Sequence, residues 1–420
     1  MIGLFGLLGL LLVGFALDAS SSDDSDDPSD SGDDPVTLNG TEGDETLEGG
    51  AADEIINGFG GEDLIFGNNG DDSLYGGEGD DNLRSGSGDD QIYAGNGSDA
   101  GQAGVGNDLV IAGIGDDGFN GDDGNDTLRG AQGQDNLDGG NGSDQLFGGA
   151  DDDTLIGVAG ADTVFGGSGD DLLKGTTGND GLEGQDRDDT VIGGSNDGLV
   201  FGNAGDDQQT TFPVTPGDDF IDGGPGSDTA FGNGGDDSQL GGDDDDELSG
   251  NGGNDDLIGG AGRDLLLGGY DSDVLVGGDG IDTLYGGLGD DVVTGIEVPL
   301  GTANRVSVEG DELFGGSGND LVAVGPGDIG HGNAGLDEFA IDFRPDATLP
   351  TIADFDGSDD VLVIYYNDPA DPTVNFSFTD NGGSGSTVVS LFGRPALTLI
   401  GNTADIGLTP DSIVAVNTAV

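Results

Sequence analysis

Gly76 to Arg84 reads GGEGDDNLR, Gly139 to Phe147 reads GGNGSDQLF, Gly166 to Lys174 reads GGSGDDLLK and Gly277 to Tyr285 reads GGDGIDTLY. The shared template is G-G-x-G-x-D-x-U-x, with U a large aliphatic residue. Counted outward from these stretches, the nine-residue register holds without a gap from Gly40 to Thr210, for 19 units. Slot six is Asp in 16 of them, Glu at Glu45 and Glu54, and Gly at Gly198. A three-residue insertion, Thr211 to Pro213, resets the phase, and nine more units run from Val214 to Thr294 with Asp in slot six every time. An 11-residue interruption, Gly295 to Arg305, precedes degenerate units carrying Asp311, Asp320 and Asp337. A fixed period of this length marks a repeat architecture, in which each unit buries its apolar side chain only against its neighbours.

Each slot has a physical task. Glycines at slots one, two and four permit positive φ and close backbone approach, so the first six residues are expected to turn. Slots seven to nine then form a very short strand whose central aliphatic, such as Leu74, Leu83, Ile92 or Leu128, points inward. One such strand buries nothing alone, but coils stacked at about 4.8 Å do. Two units per coil give two opposed parallel sheets around a thin aliphatic core. The expected fold is all-β, a parallel solenoid.

Stacking places slot-six residues 18 apart above one another: Asp63, Asp81 and Asp99 along one edge, Asp72, Asp90 and Asp108 along the other. Columns of like charge at that spacing repel strongly. The chain holds 86 Asp and Glu against 8 Lys and Arg, a formal charge of -78, so side-chain cations cannot neutralise them. Carboxylates beside turn carbonyls are hard oxygen donors, which suit Ca²⁺ with its six to eight flexible ligands better than octahedral, water-retaining Mg²⁺. The candidate ligands are Asp63, Asp72, Asp81, Asp90, Asp99, Asp108, Asp117, Asp126, Asp135, Asp144, Asp153, Asp162, Asp171, Asp180, Asp189 and Asp207 before the insertion. After it they are Asp219, Asp228, Asp237, Asp246, Asp255, Asp264, Asp273, Asp282, Asp291 and Asp320. One or two such side chains could simply cap local turns; a whole stacked series without counterions could not.

The units resemble the glycine- and aspartate-rich nonapeptide repeats of RTX (haemolysin-type) calcium-binding proteins over about 300 of the 420 residues. The resemblance implies a right-handed parallel β-roll stabilised by many Ca²⁺ ions. Each ion would lie between neighbouring turns, held by backbone carbonyls and slot-six carboxylates. It also implies export by a type I secretion system that reads an uncleaved C-terminal signal. Ile352 to Ile364 (IADFDGSDDVLVI) resembles the D-F-x-x-x-x-D-x-L-x-I stretch found after such repeats, and the end, DSIVAVNTAV, is compatible with a small-apolar secretion tail. Some departures stand out. Gly198 lacks the carboxylate, Arg187 and Asn196 replace the slot-four glycine, and Gly101, Ala230 and Gln239 lack the large aliphatic. A weak metal position is expected around Asp180, whose partner one coil on is Gly198.

The flanks differ from the repeats. Residues 1–17 (MIGLFGLLGLLLVGFAL) are apolar or glycine, spanning roughly 25 Å as a helix. They read as a signal or membrane anchor, or as a sticky terminus packed on the fold. Residues 18–36, rich in Asp, Ser and Pro, read as a disordered acidic linker. The β-roll is assigned to 37–340, and 341–420 to a small β-rich C-terminal cap with strand-like runs at 361–366, 374–378, 386–392 and 396–400.

Composition excludes much chemistry. No Cys and a single His, His331, remove thiol catalysis, disulfides and multi-histidine zinc sites. The acidity excludes nucleic acid as partner. No Walker lysine follows the G-x-G patterns and no G-x-S-x-G occurs. The expected function is calcium binding by a roll that folds outside the cell, secreted or cell-surface associated, in a structural, adhesive or surface role. The expected partners are calcium ions, a surface or matrix component and the secretion machinery, with no enzymatic activity. Ice binding is discounted because slot seven (Thr46, Ile55, Leu64, Ser73, Asn82, Gln91, Ala100) shows no rank of Thr. An extracellular enzyme or toxin-like activity hidden in 341–420 is the alternative, and activity surviving in that segment alone would favour it.

Overall fold

The structure, a computed structural model, describes residues 35–195, 199–204, 208–210, 218–295, 310–342, 348–356, 359–366, 376–380, 386–391, 394–400 and 413–417. The apolar run 1–17, the linker up to residue 34, Gly198, Asp207, the insertion 211–213 and residues 296–305 lie outside these. The chain divides into two compact units, Met1–Gly175 and Thr176–Val420. Among the described residues every regular element is a strand, and no helix is long and apolar enough to cross a membrane.

In the first unit every second strand pairs in parallel with an offset of 18 residues. Asn82–Ser87 pairs with Leu64–Asn69 on one side and Ala100–Val105 on the other, while Ser73–Glu78 pairs with Gln91–Asn96 in the opposite sheet. This is the two-unit coil that the nine-residue period predicts. The division into turn and strand is different from the expectation. The strands are six residues long, running from slot seven through slot three of the next unit, and only slots four to six bend. Slot two stays in the ladder despite its positive φ: Gly77, at φ 121°, pairs with Gly95, and a Cβ there would strike the Phe59 carbonyl. Positive φ curves the chain without costing backbone hydrogen bonds, so the strand continues.

Alternation along the strand then decides what is inside. Slots six, eight and one face inward; slots seven, nine and three face out. Slot eight supplies the core: Leu128 stacks between Val110 and Leu146, all three fully buried. Burying such a side chain contributes about 1.5–3 kcal/mol. On the outer face, slot-nine rings stack in pairs along the coil direction, Tyr75 on Tyr93 at 4.9 Å and Phe147 on Phe165 at 5.2 Å.

The second unit uses the same ladder, with Leu266 packed between Leu248 and Leu284. Its offsets record each interruption. Leu199 pairs with Phe220, 21 residues on, absorbing the three-residue insertion. Thr283 pairs with Glu312, 29 residues on, an offset longer than 18 by the length of the 11-residue interruption. Glu312 pairs with Ile329 at an offset of 17, a one-residue deletion. Arg187, in place of a slot-four glycine, adopts the same positive φ, at 100°. Two slot-eight positions are polar. Gln239 donates its side-chain NH₂ to the Ser249 carbonyl at 3.0 Å but leaves its oxygen without a partner, and Gln209 leaves both amide atoms without one. Both side chains are buried, and each orphaned group costs about 1–3 kcal/mol. The sequence reading named Gln239 and passed over Gln209.

Parallel pairing continues beyond Ile341. Glu338–Asp342 pairs with Val361–Tyr366, which pairs with Ile413–Asn417. Phe376–Asp380, Ser386–Leu391 and Arg394–Ile400 add an antiparallel meander, whose last strand pairs in parallel with Thr351–Ile352. Of the strand-like runs expected here, 361–366 is a strand with those bounds, and the other three overlap Phe376–Asp380, Ser386–Leu391 and Arg394–Ile400, with 374–375 and 392 outside the described residues. Ile413–Asn417, expected only as a secretion tail, is a further strand.

Candidate metal centre

The inward turn of slot six buries its carboxylate. Asp72, Asp81, Asp90 and Asp99 are each 1–3% exposed, as are Asp246, Asp255, Asp264 and Asp273 in the second unit. The two oxygens do different work. Oδ1 accepts the backbone N–H of the slot-six residue one coil earlier: Asp63 donates to Asp81 at 2.8 Å, Asp72 to Asp90 at 2.7 Å and Asp255 to Asp273 at 2.9 Å. These bonds place the expected columns, with Asp63, Asp81 and Asp99 in one and Asp72, Asp90 and Asp108 in the other.

Oδ2 is buried and accepts no hydrogen bond at Asp63, Asp72, Asp81, Asp90, Asp99, Asp108 and, in the second unit, Asp237, Asp246, Asp255, Asp264 and Asp273. At the turns with glycine in slot one it faces a hollow that the missing side chain leaves open. A Cβ on Gly58 would meet Asp63 Oδ2 and the Gly76 carbonyl oxygen; one on Gly241 would meet Asp246 Oδ2 and the Gly259 carbonyl. Glycine thus sets a carboxylate oxygen against a carbonyl oxygen of the next coil with no donor between them. Four turns of the first unit carry Ser85, Ala94, Ala103 or Ala112 in slot one, and their Cβ atoms narrow this hollow.

An unpartnered carboxylate oxygen in such a place is expensive. Burial pushes Asp72 up to about 7, with the charges of Asp90 and Glu54 adding to it and the Glu54 N–H opposing. Asp246 is pushed up to about 8, again first by burial and then by Asp264 and Asp228, and Asp264 to about 6. Repulsion along the column is therefore real but secondary to desolvation. A hard cation between the coils answers both at once, because buried oxygen donors without hydrogen bonds are what Ca²⁺ requires. Among the described residues no three acidic side chains converge on one point. The ligands of any one ion would be carboxylate oxygens from the column together with turn carbonyls.

The remaining predicted residues of the described chain, Asp117, Asp126, Asp135, Asp144, Asp153, Asp162, Asp171, Asp180, Asp189, Asp219, Asp228, Asp282, Asp291 and Asp320, are buried at the same slot. Asp207 lies outside the described residues, and so does Gly198, the partner on which the weak position at Asp180 was argued. Three features escaped the sequence reading. Asp328 and Asp360 occupy the slot-six place in the last coils, accepting the N–H of Asp311 at 3.1 Å and of Asp337 at 3.2 Å. Asp354, in the IADFDGSDDVLVI stretch, accepts the N–H groups of Gly332 and Asn333 while the neighbouring Phe355 packs on Phe339. Slot five forms a second, exposed ladder in the opposite sense: Asp53 Oδ1 accepts from the Asp71 N–H at 2.9 Å, and Asp236 Oδ1 from Asn254 at 2.7 Å. The recurrence of Asp, Asn and Ser at slot five was the available signal, since these side chains bond backbone at short range.

The model of the RTX calcium-binding nonapeptide repeat (4 copies) matches residues 39–74, 66–100, 93–128, 102–137, 120–155, 138–173 and 147–182, then 214–238, 240–266, 267–295 and 310–328. No curated protein matches the chain. Among nine solved chains that do, one is the hyperactive, Ca²⁺-dependent, β-helical antifreeze protein from an Antarctic bacterium, at 19% identity over 73% of this chain and 86% of that one. Its TM-score is 0.21. With buried Asp carboxylates recurring at slot six in both units and the repeat model covering more than half of the sequence, the chain belongs to the family of RTX calcium-binding nonapeptide-repeat proteins.

Proposed function

We propose that this calcium-binding β-roll folds on binding its ions outside the cell, and serves there as a structural or adhesive element without catalysis of its own. The observation that carries this reading is the series of buried slot-six Oδ2 atoms with no hydrogen-bond partner. At low calcium these charges oppose coiling and keep the chain expanded, a state suited to passage through a type I exporter. At extracellular calcium, with module affinities of about 10⁻⁴–10⁻³ M, binding energy becomes folding energy. Slot-six Asp residues hold the ion through Oδ2 and hold the previous coil through Oδ1, so each ion fastens a turn that is already registered.

Isothermal calorimetry of the full chain at neutral pH tests this. Expected are many Ca²⁺ ions per chain, with proton release on binding because the buried carboxyls ionise. Binding of only a few ions, or equal heat with Mg²⁺, would contradict it.

A further inference from the structure

Not every carboxylate at slot six leaves a buried oxygen without a hydrogen bond. Glu54 is 5% exposed, and its Oε2 accepts the N–H of Gly50, the slot-two residue of its own unit, at 3.0 Å. Glu45 does the same with the Thr41 N–H at 2.8 Å. The extra methylene of Glu gives the reach that Asp in this slot lacks: in the following units Asp63 and Asp72 leave Oδ2 without a partner. The late coils of the second unit reach the same end by a different route. There the chain itself is tightened. A one-residue deletion brings the Gly325 N–H to within 2.6 Å of Asp328 Oδ2, and a local turn brings the Asp356 N–H to within 2.7 Å of Asp360 Oδ2. Asp328 and Asp360 are 2% and 7% exposed. At all four positions an N–H from the same chain meets a slot-six carboxylate oxygen, as none does at Oδ2 of Asp63, Asp72 or Asp81.

We propose that Glu45, Glu54, Asp328 and Asp360 are metal-free closures, and that calcium is taken up only at the turns between them. The inference rests on the calcium reading given above and adds to it which positions stay empty. An N–H aimed at the carboxylate oxygen takes up one of its lone pairs and sets a partial positive charge beside it, so that oxygen is a poorer ligand for a cation. These turns are therefore set without calcium and offer a formed edge onto which the ion-dependent coils add. Glu at slot six in the first two repeats, which reads in sequence as drift from the consensus, is on this account a functional choice.

Counting bound calcium in the full chain, by elemental mass spectrometry after gel filtration in fixed calcium, separates the cases. Asp81→Asn is expected to lose at least one ion. Glu54→Gln, which keeps an oxygen for the Gly50 N–H, is expected to lose none. Glu54→Asp, too short to reach that N–H, is expected to gain one. Loss of an ion in Glu54→Gln, or no gain in Glu54→Asp, overturns the proposal while Asp81→Asn still reports calcium at the interior turns. An unchanged count in Asp81→Asn brings down the calcium reading, and this inference with it.

Discussion

Replacing Asp237, Asp246, Asp255, Asp264 and Asp273 together by Asn gives a chain whose second unit forms β structure without calcium and no longer binds ions at those turns. The reason lies in the division of labour between the two carboxylate oxygens. Asn keeps Oδ1 as acceptor for the N–H of the preceding coil, the bond that Asp219 makes to Asp237 at 2.8 Å and Asp228 to Asp246 at 2.8 Å. Its NH₂ group replaces the unpartnered Oδ2 and faces a slot-one carbonyl, that of Gly259 in the case of Asp246. A donor now meets an acceptor where two acceptors stood. Relief of a buried unsatisfied group is worth about 1–3 kcal/mol per site, and more where that group is charged. Far-UV circular dichroism in chelator is expected to show more β structure for the variant than for the parent. Equal calcium dependence of the two would show that these carboxylates do not control folding.

Acidifying the metal-free chain is expected to act in the same direction. In the coiled state Asp72 and Asp108 are pushed to about 7 and Asp81 and Asp99 to about 6, from an ordinary value of 3.8, chiefly by burial. Between the ordinary and the raised values the folded chain holds more protons than the unfolded one. Stability of the metal-free roll therefore falls as pH rises through that window, and is greatest below it. Chain stripped of calcium is expected to show clear β structure at about pH 4.5 and little at about pH 7.5, the reverse of ordinary acid unfolding. A protonated Oδ2 also becomes a donor to the facing carbonyl, as the Asn amide does. Calcium added at neutral pH restores the same spectrum. A metal-free chain that gains no β structure in acid would show that the buried carboxylates are not what holds it open.

Much of this architecture is legible in the period. A repeat of nine with an aliphatic at slot eight and Asp at slot six places Leu83 inside and Asp81 in a column, because alternation along a strand and stacking of coils leave no other arrangement. The interruptions at 211–213 and 295–305 are legible too, since each lengthens the pairing offset by its own length, as in the Leu199–Phe220 and Thr283–Glu312 pairs. The strand length was not legible. Glycine at slots one, two and four suggested a turn over the first six residues, yet a positive φ at Gly77 is compatible with the ladder when a neighbouring coil supplies the hydrogen bonds. Nor were Asp328 and Asp360 legible, because a deletion and a change of composition take both out of the nine-residue count, and their role follows from three-dimensional register alone. Glu54 was visible as an exception, but its meaning depends on an N–H that only the folded turn brings near. The carboxylates themselves were readable one by one; which oxygen of each is spent and which is left over was not.

The most direct test of the account is calcium titration of the full chain, followed by far-UV circular dichroism at neutral pH and low ionic strength. The account predicts a largely unordered spectrum in excess chelator and a cooperative gain of β structure as calcium rises through about 10⁻⁴–10⁻³ M. Full β structure in excess chelator at neutral pH would contradict it.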